Sequence, residues 1–499
     1  MRKMSALWIT CFTLLIASTV RAQGSAGVNN AELIGDYAFS FSGMTTGGGS
    51  ASTVFASVGR FTADGAGNLT NGEVDCNGVG PQEMLSAQAF TGTYTIGADN
   101  RGVMTLIIPG GGKLAFAMKA NGNADFVEID ASGTGTVGSG TMEKADTTAY
   151  NTARIMGDYA FGFAGLDGWN NRAAMAGRFT ANGAGTFTDG TADVNQSGMY
   201  STGAMFTAAY YSVSDPTTGR GMMILPPLAG GVPQNRNFTF YVVNAGKLFV
   251  METDTVTIAT PLLSGAVLQQ QSPLGGFSNA SLSGGMVMYL TGRASGCGST
   301  NNPVPNVIVG LLTGAGDGTL NLTYDENCGG TTTSATGLSG TYGVTSNGRV
   351  TIRLGASYVA AYLVSLDQAF FIVPDSTVLF GFGEPQAAGS FANGAVKGTY
   401  AGSATSPAAL GVVIFSGEFT ADGASQSGNL SGVEDIGAPS GPSSQAVNAT
   451  YSVSTTPTNG RGTLAGNIAG SAVIYVVSPS EFVAVSLSDP NPAVLIFGQ

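Results

Sequence analysis

One strand motif is written four times along this chain, and that repetition limits the fold more than any other feature. Gly35-Asp36-Tyr37-Ala38-Phe39 returns as Gly157-Asp158-Tyr159-Ala160-Phe161, loosely as Gly284-Gly285-Met286-Val287-Met288, and as Gly398-Thr399-Tyr400-Ala401-Gly402. Lead glycines at 35, 157, 284 and 398 set a period of roughly 120 residues. A unit of that length is large enough to bury its own core. The expected units are 31–149, 150–272, 280–388 and 395–499, following a segment 1–22 that has the make-up of a secretory signal. In that segment Arg2 and Lys3 precede the apolar run Leu7 to Ile16, and Val20-Arg21-Ala22 fits the small-x-small cleavage rule.

Within a unit the periodicity is that of strands. Tyr37, Phe39 and Phe41 alternate with Asp36, Ala38, Ser40 and Ser42, which is a period of two rather than 3.6. Asp64-Gly65 marks a hairpin, because that turn needs residues tolerant of positive φ, and it returns as Asn182-Gly183, Asp317-Gly318 and Asp422-Gly423. Reading on through unit one gives eight strands joined by short turns and no helix. An antiparallel meander of eight strands has unpaired edges unless it closes. The expectation is therefore an all-β chain of four tandem, eight-stranded up-and-down barrels of the lipocalin or streptavidin kind, with a two-sheet β-sandwich as the alternative.

Composition narrows the function. There is no histidine among 499 residues, which removes Ser-His-Asp and Cys-His catalysis and the usual zinc and iron sites. Without Arg2, Lys3 and Arg21 the balance is 16 basic against 31 acidic residues, the wrong sign for nucleic acid or an anionic membrane as partner. After the signal no stretch is apolar enough to form a transmembrane segment. The expected location is secreted, extracellular or periplasmic. Cys297 and Cys328 fall at the open ends of neighbouring strands in unit three and are the expected disulfide, while Cys76 lacks a partner in unit one.

The runs Gly59-Arg60-Phe61-Thr62-Ala63-Asp64-Gly65-Ala66-Gly67 and Thr91-Gly92-Thr93-Tyr94-Thr95-Ile96, with the lead motif, resemble the secreted tandem repeat proteins of acidobacterial genomes. The resemblance covers nearly all of the chain beyond the signal and implies export and repetition. That family has no established activity, so no functional residue is carried over from it.

Two polar columns recur in all four units. One is the arginine after the Tyr strand: Arg101, Arg220, Arg349 and Arg461. The other is a carboxylate ending the third strand: Asp75, Asp193, Asp325 and Asp435. The favoured reading is a structural ion pair that closes one end of each barrel; an anion clamp is its functional rival. Asp75 with Asn77, Asp193 with Asn195 and Asp325 with Asn327 carry a calcium reading, although two side chains fall far short of the six to eight oxygens the ion takes. Glu73 and Asp75 share a strand face and carry a hydrolase reading, which ranks last because Thr191 and Thr323 stand at the matching places. No catalytic residue and no cofactor is assigned. The leading expectation is an exported non-enzymatic binding or structural component acting on an extracellular polymer or small ligand; the alternative is a carrier of small apolar or carbohydrate ligands inside the barrels.

Overall fold

A computed structural model describes residues 27–45, 53–79, 84–109, 111–130, 136–207, 209–228, 234–294, 297, 303–405, 414–438 and 440–499. The signal-like segment 1–22 lies outside the described residues. The chain is all-β: four closed antiparallel barrels in tandem, with five three-residue 3-10 turns and no α-helix among the described residues.

Barrel 1 shows the plan. Its strands are Ile34–Thr45, Thr53–Asp64, Asn68–Gly78, Leu85–Ile96, Arg101–Ile107, Lys113–Met118, Ala124–Glu128 and Thr136–Lys144. Each pairs with the next, and strand 8 returns to strand 1 with Phe39 opposite Met142. Closure leaves no edge exposed. Barrels 3 and 4 repeat the order, from Gly285–Ala294 to Phe380–Pro385 and from Lys397–Ala404 to Val494–Gly498. Barrel 2 differs in one strand. Its fourth is broken into Met199–Phe206 and Ala209–Asp215, and strand 3, Thr186–Gln196, pairs with both pieces while still closing on strand 2, Arg172–Asn182.

The hairpin turns are built from their own side chains. Asp64 Oδ1 accepts from the Ala66 and Asn68 amides at 2.7 and 2.9 Å while Gly65 takes φ +75°. Asn182 and Asp422 hold the Ala184 and Ala424 amides in the same manner. One end of every barrel is then plugged by the 3-10 turn that precedes strand 1. The Tyr column of strand 4 anchors this plug. Tyr94, Tyr211, Tyr342 and Tyr451 donate to the carbonyls of Leu33, Ile155, Leu282 and Val396 at 2.5–2.7 Å. From the plug, Asn30, Asn279 and Asn393 accept the amides of Ile96, Val344 and Val453, and Thr152 accepts that of Val213.

Inside, Tyr37, Phe39 and Phe41 form the core of barrel 1 with Phe61, Phe90, Phe116 and Phe126. Outside, strands 1 and 2 are buried as well. Ala38, Val54, Ala56 and Val58 of barrel 1 pack on Tyr241, Val243, Phe249 and Met251 of barrel 2. Ala160, Ala174 and Ala176 of barrel 2 pack on Ala360, Tyr362, Phe370 and Ile372 of barrel 3. Val287, Val307 and Val309 of barrel 3 pack on Val473, Tyr475, Val483 and Val485 of barrel 4. Finally Ile414 of barrel 4 joins Ala115, Val127 and Ile129 of barrel 1 in one apolar cluster. In each case strands 1 and 2 of one barrel meet strands 6 and 7 of the next. A head-to-tail contact repeated four times, with the last barrel returning to the first, makes a closed ring. Small side chains let the barrels approach closely. At Gly162 an added Cβ would fall 2.3 Å from Phe370 Cδ1 across the junction.

The connections do not hang free. Past strand 8 of barrel 1, the Ala145 amide donates to Asp36 of its own barrel and the Asp146 amide to Val243 of barrel 2. Gln270 and Gln271, and Gln386 and Ala387, do the same at the next two joints.

Candidate functional site

The two recurrent columns meet, but between barrels rather than within one. Arg220 of barrel 2 donates Nε and Nη2 to Asp75 of barrel 1, both at 2.7 Å. Arg349 of barrel 3 holds Asp193 of barrel 2 through the same atoms at 2.8 Å. Arg461 of barrel 4 holds Asp325 of barrel 3 at 2.8 and 2.7 Å. Arg101 of barrel 1 completes the circle on Asp435 of barrel 4, through Nη1 alone at 2.8 Å. This corrects the expectation of a pair closing one barrel's end. The Asp stands on strand 3 of one barrel and the Arg opens strand 5 of the following one, so neither reaches its partner in its own unit. Sequence repetition cannot distinguish an intra-unit pair from one displaced by a single unit.

A third column completes three of the junctions. Tyr241, Tyr362 and Tyr475, on strand 6 directly opposite each Arg, donate to the same carboxylates at 2.8, 2.5 and 2.7 Å. Barrel 1 has Ala117 at that place, which breaks the column and hid it from sequence reading. At these three junctions the Asp side chain is almost wholly buried, and the carboxylate is satisfied by the fork and hydroxyl of its neighbour. Burial works against ionisation of Asp325, yet donors from Arg461, Ser334 and Tyr475 outweigh it and hold the group below the ordinary carboxylate range. Burial and the adjacent aspartate push all three tyrosine hydroxyls up, so they serve as donors.

The Asn of each Asp-x-Asn triplet works on the same junction. Asn77 Nδ2 donates to the Glu252 and Asp254 carbonyls of barrel 2, both at 2.9 Å. Asn195 reaches Val373 and Asp375, and Asn327 reaches Ser486 and Asp489, in the following barrels. Their Oδ1 atoms are taken by the amides of Gly78, Gly198 and Gly330. The oxygens that carried the calcium reading are thus engaged by protein donors. Barrel 4 has Gly437 in place of the Asn, lying against the Glu128 carbonyl of barrel 1. The junction of barrels 4 and 1 therefore lacks the Tyr, the Asn and the second arm of the fork. In exchange Arg101 Nε holds Asp99 at 2.8 Å.

Glu73 and Asp75 do share a face, and Tyr241 Oη spans them at 3.2 and 2.8 Å. That face is the packed junction with barrel 2, not a cleft. Cys297 and Cys328 form a disulfide with Cα atoms 5.8 Å apart. Cys76 has no disulfide partner, and burial first, then Asp75, push its thiol up to about 12, far from a reactive thiolate.

Further charged groups escaped the sequence reading. Arg178 of the Gly-Arg-Phe motif pairs at 2.5 Å with Asp158 of the lead motif; Arg60 pairs with Asp36 in barrel 1. Barrel 4 carries Glu418 at the matching position, paired across from Ala401 as Arg60 is from Ala38. In barrel 2 the buried pair Arg236–Glu252, 2.7 Å, stands with Gln196 among the otherwise apolar lining.

The interiors are unequal. Barrel 1 is filled to a residual cavity of about 20 Å³ lined by Phe39, Phe90, Met104 and Phe126 among others. Barrel 4 opens at its unplugged end into a pocket of about 270 Å³ bounded by Phe415, Glu434, Gln445, Ile468, Asp489 and Leu495 among others.

No family model matches the chain, and no curated protein matches it. Among solved structures, a double mutant of the vaccine antigen Transferrin Binding Protein B from Haemophilus parasuis Hp5 aligns at 11% identity over 78% of this chain and 85% of that one. The TM-score is 0.19, too poor a superposition to carry a functional argument.

Proposed function

We propose that this chain is an exported, non-enzymatic component of the cell surface or exterior, of the acidobacterial tandem-repeat kind, working as a preassembled block that binds or spaces other molecules. One observation carries the reading. The arginines and aspartates retained in every unit, the residues an active site would be built from, are engaged at the junctions between barrels. A chain that keeps its charged columns for assembly is organised around rigidity. The polar exterior agrees, as in the exposed run Thr331-Thr332-Thr333-Ser334 on strand 4 of barrel 3.

The test is two-part. Antibody against the folded chain is expected to label intact cells or the culture medium, and the purified protein is expected to leave chromogenic glycosides, esters and peptides unhydrolysed. Cytoplasmic retention, or turnover that disappears in Asp75→Asn or Asp435→Asn with the fold intact, would overturn the reading.

A further inference from the structure

We propose that the mouth of barrel 4 is a binding site for a small molecule bearing a protonated amine and an apolar body, the ammonium seated on the free oxygen of Glu434. Strand alternation sets the starting point. Asp435 faces outward into the junction, so Glu434 beside it faces inward. The matching inward residues in the other barrels are Val74, Ala192 and Tyr324, which all pack with their barrel cores. At this strand position barrel 4 alone has a carboxyl.

That carboxyl is 2% exposed. Gln445 Nε2, directly across on strand 4, donates to Oε1 and fixes the group's orientation. Oε2 is buried and has no hydrogen-bond partner among the described residues. A buried carboxyl oxygen left without a donor is costly, and a ligand N–H would satisfy it.

The surroundings select the sign and shape of the ligand. Among the described residues Glu434 and Asp489 are the charged groups lining the pocket, and no basic side chain lines it. Asp435, next to Glu434, is held on the outer face by Arg101. Phe415, Ile436 and Leu495 offer apolar surface for the body of the ligand. Asn467 on the rim is committed to Ala446 and Asn448 and does not compete for Glu434. A volume of about 270 Å³ suits a small amine rather than a polymer.

Protons compete for the same seat. Burial first, then Asp435, raise Glu434 to about 7 against the opposing Gln445 hydrogen bond. An ammonium ion should therefore bind more tightly at pH 8 than at pH 6, and a neutral analogue should not share that dependence.

The experiment is calorimetric titration of the full chain at pH 8 with benzylamine, tyramine, n-butylamine and phenethylamine, with benzyl alcohol as the neutral control. At least one amine should bind at a single site, on the order of tenfold more tightly than the alcohol and on the order of tenfold more tightly than to Glu434→Gln. Should Glu434→Gln fail to fold, Ala469→Trp, which fills the mouth from its rim, should abolish binding instead. Silence from all four amines, unchanged affinity in both variants, or equal binding of benzyl alcohol would overturn the proposal. None of these outcomes bears on the surface-component reading, which rests on the junctions and is tested by localisation and turnover.

Discussion

At the scale of the residue, each junction turns on a carboxylate gripped by another barrel's arginine. Asp193 is fully buried and receives the Arg349 fork, the Tyr362 hydroxyl and the Gly203 amide. Removing the cation leaves a charge with nowhere to go. Arg349→Ala should cost about 3 kcal/mol, the low end for breaking a buried pair, because the Tyr and amide donors remain. Asp193→Ala should cost less, since Arg349 reaches solvent more readily. Arg101→Ala should cost more, about 4 kcal/mol, because Asp435 is also buried and Ala117 offers it no hydroxyl once the cation is gone. Chemical denaturation of the three variants checks the ranking. The Asp and Arg columns were legible because each residue recurs at one place in every unit. Their partnership was not, because the unit of repetition and the unit of pairing are offset by one barrel. Tyr241, Tyr362 and Tyr475 went unnoticed because Ala117 interrupts the series. Glu434 is legible only as the neighbour of Asp435 on the opposite strand face, because it occurs once and no column marks it.

At the scale of the element, strand and turn positions were readable because period-two alternation and Asp-Gly or Asn-Gly turns each have a direct physical cause. What sequence did not disclose was that strands 1 and 2 bury both faces. In Arg172–Asn182 the alternation nearly vanishes into Ala-Ala-Met-Ala-Gly, which reads as a weak strand and is in fact a strand covered on both sides. The plug is the other hidden element. Tyr451 Oη accepts the Gly423 amide at 2.8 Å and donates to Val396 at 2.5 Å, tying the strand 2–3 turn to the residue before strand 1. Tyr451→Phe leaves both buried backbone groups unpaired and should destabilise barrel 4 by about 2 kcal/mol. Amide hydrogen exchange should show the loss concentrated in residues 393–396 and 422–424, and uniform exchange across the chain would contradict it.

At the scale of the whole molecule, four head-to-tail contacts close a ring, and one of them is built differently. The seam between barrels 4 and 1 is not spanned by a connecting segment, and it carries the single-armed Arg101. Arg101 also sits beside Glu418, which burial first and then Asp99 raise to about 7. Glu434 in barrel 4 and Glu252 in barrel 2 are likewise raised to about 7, chiefly by burial. Glu384 of barrel 3 and Glu481 of barrel 4 influence each other across their junction, and burial raises both. A carboxyl raised in the folded state binds its proton more tightly there than in the unfolded chain. Its contribution is fully present below about pH 4.5 and is lost as pH rises through about 7. Asp325 has the opposite sign and contributes above the ordinary Asp range. The melting temperature should therefore fall between pH 6 and pH 9, and Glu418→Gln should reduce that slope. A melting temperature that rises over the same interval would contradict the assignment.

The closed ring itself is open to one direct measurement, the radius of gyration of the folded chain in solution by small-angle X-ray scattering. Four barrels in a closed ring should give about 23 Å, close to the value for a compact chain of this length. Barrels strung in a row, each touching only its neighbours in sequence, would give roughly 30 Å or more. A value in that upper range at pH 6 would contradict the head-to-tail closure through Arg101 and Asp435.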